Sequence, residues 1–262
     1  MNSAPNALDK VRFRVLRRDT PQGEPYWQEF ELPRVHGANV ISCLLQIAAD
    51  PVTVEGRKTT PVAWDCNCLE EVCGACTMVI NGKVRQSCSA LVDAMVAEGF
   101  GSAENPITLE PMSKFPVVRD LYVDRQRMFD TLKRIKGWVP IDGTHHLGAG
   151  PRESPQDQDV RYAMSRCMSC GCCLEACPQF QLDNHFIGAA AISQVRYFND
   201  HPTGATLKAD RLDVMMEAGG VSDCGNAQNC VKACPKDIPL TESIAAVGRQ
   251  VTVHAIKSFF TR

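Results

Sequence analysis

Two short runs of cysteine constrain this chain more than anything else in it. The first, at residues 166–178, reads RCMSCGCCLEACP, and Cys167, Cys170, Cys173 and Cys177, closed by Pro178, spell C-x2-C-x2-C-x3-C-P. The second sets Cys224, Cys230, Cys234 and Pro235 on the same template, with Ala227 where the second cysteine would stand. Thiols this close on a tight turn can converge on one centre, so each run must fold as a compact loop. The second run is a copy that lacks one ligand.

With fourteen cysteines in 262 residues, disulfides and metal ligation are the competing uses. A secreted disulfide framework is disfavoured because the start, MNSAPNALDK, has no apolar signal core, and disulfides are rare in reducing compartments. Metal ligation is the expectation. The first run matches the ligand run of two-cluster bacterial ferredoxins, whose fourth cysteine serves the other cluster. Crossing the runs in that way groups Cys167, Cys170, Cys173 and Cys234 on one cluster and leaves Cys177, Cys224 and Cys230 for another. Three thiolates and a methyl group suit a [3Fe-4S] cluster, because a fourth iron would have no protein ligand.

The N-terminal part has a different pattern. VRFRVLR and WQEFEL alternate around a turn-forming PQGEPY segment, which predicts a hairpin over residues 11–32. Val40, Ile41, Leu44, Leu45, Ile47 and Ala48 then recur at helical spacing, and Asp50-Pro51 ends the helix. Two strands and a helix begin a β-grasp. Cys43 lies on that helix as a small buried hydrophobe. In WDCNCLEEVCGACTMVINGKVRQSC, Cys68, Cys73 and Cys76 stand at C-x4-C-x2-C, and Cys88 follows strands turned at Asn81-Gly82. This is the plant-type [2Fe-2S] spacing, and Gly74 lets the loop backbone approach the cluster. Cys66 is too far from Cys73 for that spacing and is expected to pack or support the site. Strands over residues 77–80 and 107–109 complete the sheet.

A boundary is expected at residues 112–115, giving a domain over 1–113 and a second over 114–262. Beyond it, Val117, Leu121, Met128, Leu132 and Ile135 predict a helix with a solvated charged face. Residues 137–158 are rich in Gly, Pro and polar residues and read as a surface connection, with His145 and His146 as a solvated pair. Helices are expected over 186–199 and 207–218, ended by Gly219 and Gly220, and over the tail from residue 238, with Ile244, Val247, Val251 and Phe259 on its apolar face. The tail is expected to pack on its own domain or to turn its cationic end, Arg249, Lys257 and Arg262, toward a membrane-bound partner. Cys172 falls outside the ligand spacing.

Composition excludes several functions. The formal net charge of -2 carries no nucleic-acid signal. No apolar run approaches the roughly 18–20 residues of a membrane-spanning helix, so membrane association must come through a partner. The chain has no nucleotide-binding glycine fingerprint and no convincing catalytic acid or base. The expectation is an α+β electron wire: a β-grasp [2Fe-2S] domain and an α-helical bacterial-ferredoxin-like domain with [4Fe-4S] and [3Fe-4S] clusters. A free-standing soluble carrier, a wire subunit of another flavoenzyme such as a thiol-linked reductase, and structural zinc are the alternatives.

From the strands before CLEEVCGAC to CPKDIPL, the chain resembles the iron-sulfur subunit of succinate dehydrogenase and fumarate reductase. The resemblance implies that Cys68, Cys73, Cys76 and Cys88 hold [2Fe-2S] nearest an FAD flavoprotein. It also implies [4Fe-4S] on Cys167, Cys170, Cys173 and Cys234, and [3Fe-4S] on Cys177, Cys224 and Cys230 nearest the quinone. Catalysis at succinate would lie in the flavoprotein. This chain would work in the respiratory chain and tricarboxylic acid cycle, peripherally on the cytoplasmic face of the membrane. Many ubiquinone-reducing members carry tryptophans after the cysteine matching Cys177 and a histidine after the one matching Cys224. Here those positions read CPQFQLDN and Gly225. AAISQVRYFNDHPTGA and SDCGNAQNCV look closer to menaquinone-linked members with a di-haem cytochrome b anchor, which implies electron exit to haem. The direction, succinate oxidation or fumarate reduction, stays open.

Overall fold

The computed structural model describes residues 9–140 and 151–261. The chain divides into two compact units, Met1–Asp124 and Arg125–Arg262.

In the first unit, β1 (Lys10–Arg17) buries every second side chain, as its alternating sequence demands. It pairs antiparallel with β2 (Tyr26–Pro33). α1 (Val40–Ala49) starts at a capping box in which Asn39 and Ser42 satisfy each other's backbone N–H groups. After a long loop come β3 (Thr77–Ile80), β4 (Lys83–Gln86), α2 (Val92–Ala97) and β5 (Ile107–Glu110). The sheet order is β2-β1-β5-β3-β4, with β1 and β5 parallel and the other neighbours antiparallel. Phe13, Val15 and Phe30 of the hairpin, Ile41 and Leu44 of α1, and Met78 and Ile107 form its core. This is the expected β-grasp.

The unit ends later than the sequence suggests. Instead of a helix from residue 117, the chain makes a ribbon of β6 (Val117–Arg119) and β7 (Tyr122–Val123), turned at Asp120. Asp120 has φ +46°, a left-handed conformation that Asp tolerates and a tight hairpin turn needs. It is wholly buried and bonded to Arg17, so it is not part of a solvated charged face. These bonds keep the ribbon in the first unit and place the division after Asp124 rather than between 113 and 114.

The second unit is helical. α3 (Gln126–Arg134) precedes α4 (Pro155–Ser165), α5 (Cys172–Glu175) and α6 (Gly188–Asn199). Then come α7 (Lys208–Met216), α8 (Asn229–Ala233) and α9 (Leu240–Thr261). α4 begins inside the expected connection, where the Ser154 side chain accepts from the Asp157 N–H and Pro155 opens the first turn. His145 and His146 lie outside the described residues. α6 and α9 pack through Ile192, Val195 and Val247, with Ser193 and Ser243 bonded between them at 3.3 Å. Arg127, expected to be solvated, donates to the carbonyls of Asn184 and Phe186 and stacks on Phe180 at 4.1 Å. It pins the loop after the first cysteine run.

Candidate metal centres

The first centre lies on the loop between α1 and β3. Leu69, Glu71 and Gly74 have φ of +60°, +55° and +70°. Left-handed residues alternating with right-handed ones turn successive N–H groups toward one side, a concavity that holds negative charge. The Cys68 sulfur receives N–H groups of Glu70, Val72 and Cys73 at 3.3–3.4 Å, and the Cys73 sulfur receives Ala75 N–H at 3.4 Å. Those donors, with the neighbouring Cys73 thiol, lower the Cys68 thiol to about 7. Cys76 is buried, and burial, with the adjacent Cys88 thiol, pushes it up to about 12. Thr77 and Ser87 donate to the carbonyls of Gly74 and Cys76 at 2.8 and 2.9 Å, fixing the loop where it enters β3. The cradle therefore sets two half-exposed thiols beside each other and two buried ones together. Cys66 is exposed rather than packed, and Cys43 is a core residue whose thiol burial pushes to about 11.

In the second unit the two cysteine runs share a backbone. Ser169 and Gly171 have φ of +51° and +89°, two and four residues after Cys167. Asn226 and Gln228 have φ of +52° and +61°, two and four residues after Cys224. Each loop runs directly into a short helix, α5 or α8. Ala227 thus occupies the loop position of Cys170. The Asn229 side chain donates to Ala176 O at 3.1 Å and ties the copies together.

The thiols interleave between the runs. Cys173 is held well above the usual thiol range by burial and then by the neighbouring Cys170, Cys167 and Cys234. Cys230 is raised by burial and by Cys177 and Cys224. Those three cysteines line one cavity with Ala227, Pro178 and Ile244. A Gln194 side chain from α6 bonds the Cys167 thiol, and Ile238 N–H points at the Cys234 sulfur at 3.5 Å. Cys172 is buried inside α5.

These residues fit iron-sulfur clusters. The donors are thiols, three loops carry the alternating backbone that cradles an anionic cluster, and amides reach ligand sulfurs. Among the described residues, no three His, Cys, Asp or Glu side chains gather closely enough for one metal ion. Sequence reasoning missed the helpers Gln194, Arg127 and Asp120, since nothing local marks them.

A β-grasp thiol cradle followed by a helical pair of crossed cysteine runs defines a two-domain iron-sulfur electron-transfer protein. Residues 12–130 match the 2Fe-2S iron-sulfur cluster binding domain and residues 163–238 the 4Fe-4S dicluster domain. The chain is 56% identical over 250 residues to the succinate dehydrogenase iron-sulfur subunit of Bacillus subtilis, covering 95% of this chain and 96% of that one. It therefore belongs to the family of succinate dehydrogenase iron-sulfur subunits. The fumarate reductase iron-sulfur subunit of Mycobacterium tuberculosis is more distant, at 30% identity over 95% of this chain and 96% of that one. A chain of the Mycobacterium smegmatis Sdh1 complex in the apo form has the same fold, with a TM-score of 0.76 at 22% identity, covering 94% and 96% of the two chains.

Proposed function

We propose that this chain is the electron wire of a succinate dehydrogenase, set between an FAD flavoprotein that oxidises succinate and a membrane anchor carrying haem b and menaquinone. Cys68, Cys73, Cys76 and Cys88 hold [2Fe-2S]; Cys167, Cys170, Cys173 and Cys234 hold [4Fe-4S]; Cys177, Cys224 and Cys230 hold [3Fe-4S]. When bound, the clusters accept and release single electrons. The chain's own residues set how readily they do so. Amides aimed at Cys68 and Cys73 favour negative charge, and burial around Cys173 opposes it.

One observation carries the distal assignment: Cys177, Cys224 and Cys230 line one cavity whose loop repeats the first run, with a methyl at Ala227 in place of a thiol. Residues 225–229 of that loop are exposed, which suits an exit to a partner. Gln179 supports exit to haem rather than to quinone bound at the cluster. Its amide nitrogen lies 2.6 Å from where a Cβ on Gly225 would stand, filling the place a larger side chain would take. Among the described residues no helix is long and apolar enough to cross a membrane, and the anchor is the part of the complex that spans the bilayer and holds this chain on its cytoplasmic face.

The test is low-temperature EPR on the anaerobically purified, oxidised complex. Oxidised [3Fe-4S] is paramagnetic while the other two clusters are silent, so about one spin per chain is expected. No signal, with two interacting [4Fe-4S] clusters after reduction, would overturn the distal assignment. A haem-free complex with full quinone reductase activity would overturn the exit to haem.

A further inference from the structure

The C-terminal end of α6, with α7 and α9, encloses a groove of about 760 Å3 that holds none of the ligand cysteines. Its walls carry Arg196, Lys208, Arg249 and Lys257 against the single carboxylate Asp200, with His254 beside them. Asp200 is paired with Arg196 at 3.5 Å, and His254 is held by Asp213 at 2.8 Å. Lys208 and Arg249 therefore leave the groove a positive excess. From the groove to its end, α9 exposes large apolar side chains: Val253, which also lines the groove, is 51% exposed, Ile256 55%, Phe259 78% and Phe260 79%. Val253, Ile256 and Phe260 fall on one helical stripe. The two phenyl rings meet edge to face at 5.4 Å.

Two exposed phenyl rings are costly to leave in water. A narrow apolar tip beside a cationic groove is the pattern of a helix lying at a membrane surface, with rings at the headgroup boundary and cations on lipid phosphate. α9 is not apolar enough to span a bilayer. We propose that this end of α9 docks directly on anionic phospholipid, Phe259 and Phe260 entering the boundary and the groove taking a headgroup phosphate. The contact is independent of how electrons leave the chain.

The test is sedimentation of the cluster-loaded full chain with vesicles of phosphatidylglycerol and phosphatidylcholine, or of phosphatidylcholine alone. The chain is expected to sediment with the anionic vesicles and to be released by salt. A Phe259→Ser/Phe260→Ser variant should lose about tenfold or more in partition, and Lys208→Glu/Arg249→Glu about tenfold, each with an unchanged visible cluster spectrum. No sedimentation, equal binding to neutral vesicles, or unchanged partition of the phenylalanine variant each overturns the proposal. Retained vesicle binding by that variant with loss of the anchor from the purified complex would reassign the tip to a protein contact.

Discussion

Arg17 and Asp120, 103 residues apart, form a doubly bonded ion pair at 2.9 and 3.1 Å, with both side chains fully buried. Asp120 also accepts the N–H groups of Arg18 and Ala63 at 3.1 and 2.8 Å, while Arg17 donates to Thr60 O and Gln28 Oε1. The pair joins β1, the ribbon and the strand of chain that leads into the [2Fe-2S] loop. Its net value is small, since desolvation offsets attraction, but removing one partner strands a buried charge. Asp120→Ala should therefore destabilise the first unit by about 3–5 kcal/mol. Urea unfolding followed by the visible absorbance of the [2Fe-2S] cluster measures it, and an unshifted midpoint would refute it.

The cradle around Cys68 predicts uneven thiol reactivity once the clusters are removed. Thiolate is the reactive form, and the Cys68 thiol is lowered to about 7 by N–H groups of Glu70 and Val72. Cys76, pushed up to about 12 by burial, stays protonated. Alkylation at Cys68 should rise as pH passes through about 7 and level off above it, with Cys76 unlabelled. Mass spectrometry after brief alkylation at several pH values reads this. Equal labelling of the two at neutral pH would show that the amides do not hold the thiolate.

Local signals explain what was legible beforehand. The hairpin showed itself by alternation in β1, α1 by its apolar spacing, and the ligand turns by thiols only two to four residues apart. The crossing of Cys234 onto the first run has no local signal at all and came only from the ferredoxin template. At residues 117–123 Val117 and Leu121 stand at helical spacing and point to a helix, whereas the chain forms a ribbon. The conformation there is decided by Arg17, a partner that no window around Asp120 contains. Arg127 failed for the same reason: its three backbone acceptors lie at residues 181–186. α4 starts at Ser154-Pro155 and Asp157, a helix-start signal that the polar residues around it mask as loop.

Two glycines of the second unit should respond in opposite ways to alanine. Gly219 has φ +85°, and a Cβ there would stand 2.0 Å from the His185 carbonyl oxygen. Backbone must move, and the left-handed strain alone costs about 1–3 kcal/mol. Ile187 N–H bonds Gly219 O at 3.0 Å, so the displacement reaches both the chain that leaves the first cysteine run and the chain that enters the second. Gly219→Ala should lower iron content in the second unit while sparing [2Fe-2S]. Gly248 sits within α9 with nothing within 4 Å of its missing Cβ. Gly248→Ala should stabilise by about 0.8–1 kcal/mol. Iron analysis, EPR and thermal unfolding of both variants check the pair, and matching losses would contradict it.

Ala227→Cys tests whether a missing ligand or the pocket selects the distal cluster. The second loop already has the left-handed residues of the first at equal offsets, Asn226 and Gln228 against Ser169 and Gly171. The Ala227 Cβ therefore stands where a thiol can be added without rebuilding backbone, and the residue is exposed, so the sulfur meets no core. The variant should admit a fourth iron, replace [3Fe-4S] by [4Fe-4S] and lower the distal potential, since cluster type sets potential. The oxidised EPR signal should vanish and a reduced [4Fe-4S] signal appear. Electron delivery to the anchor should slow, while dye reduction through the flavoprotein stays near wild type. A full-strength [3Fe-4S] signal in the variant would show that the shape of the pocket, not the absent thiol, excludes the fourth iron.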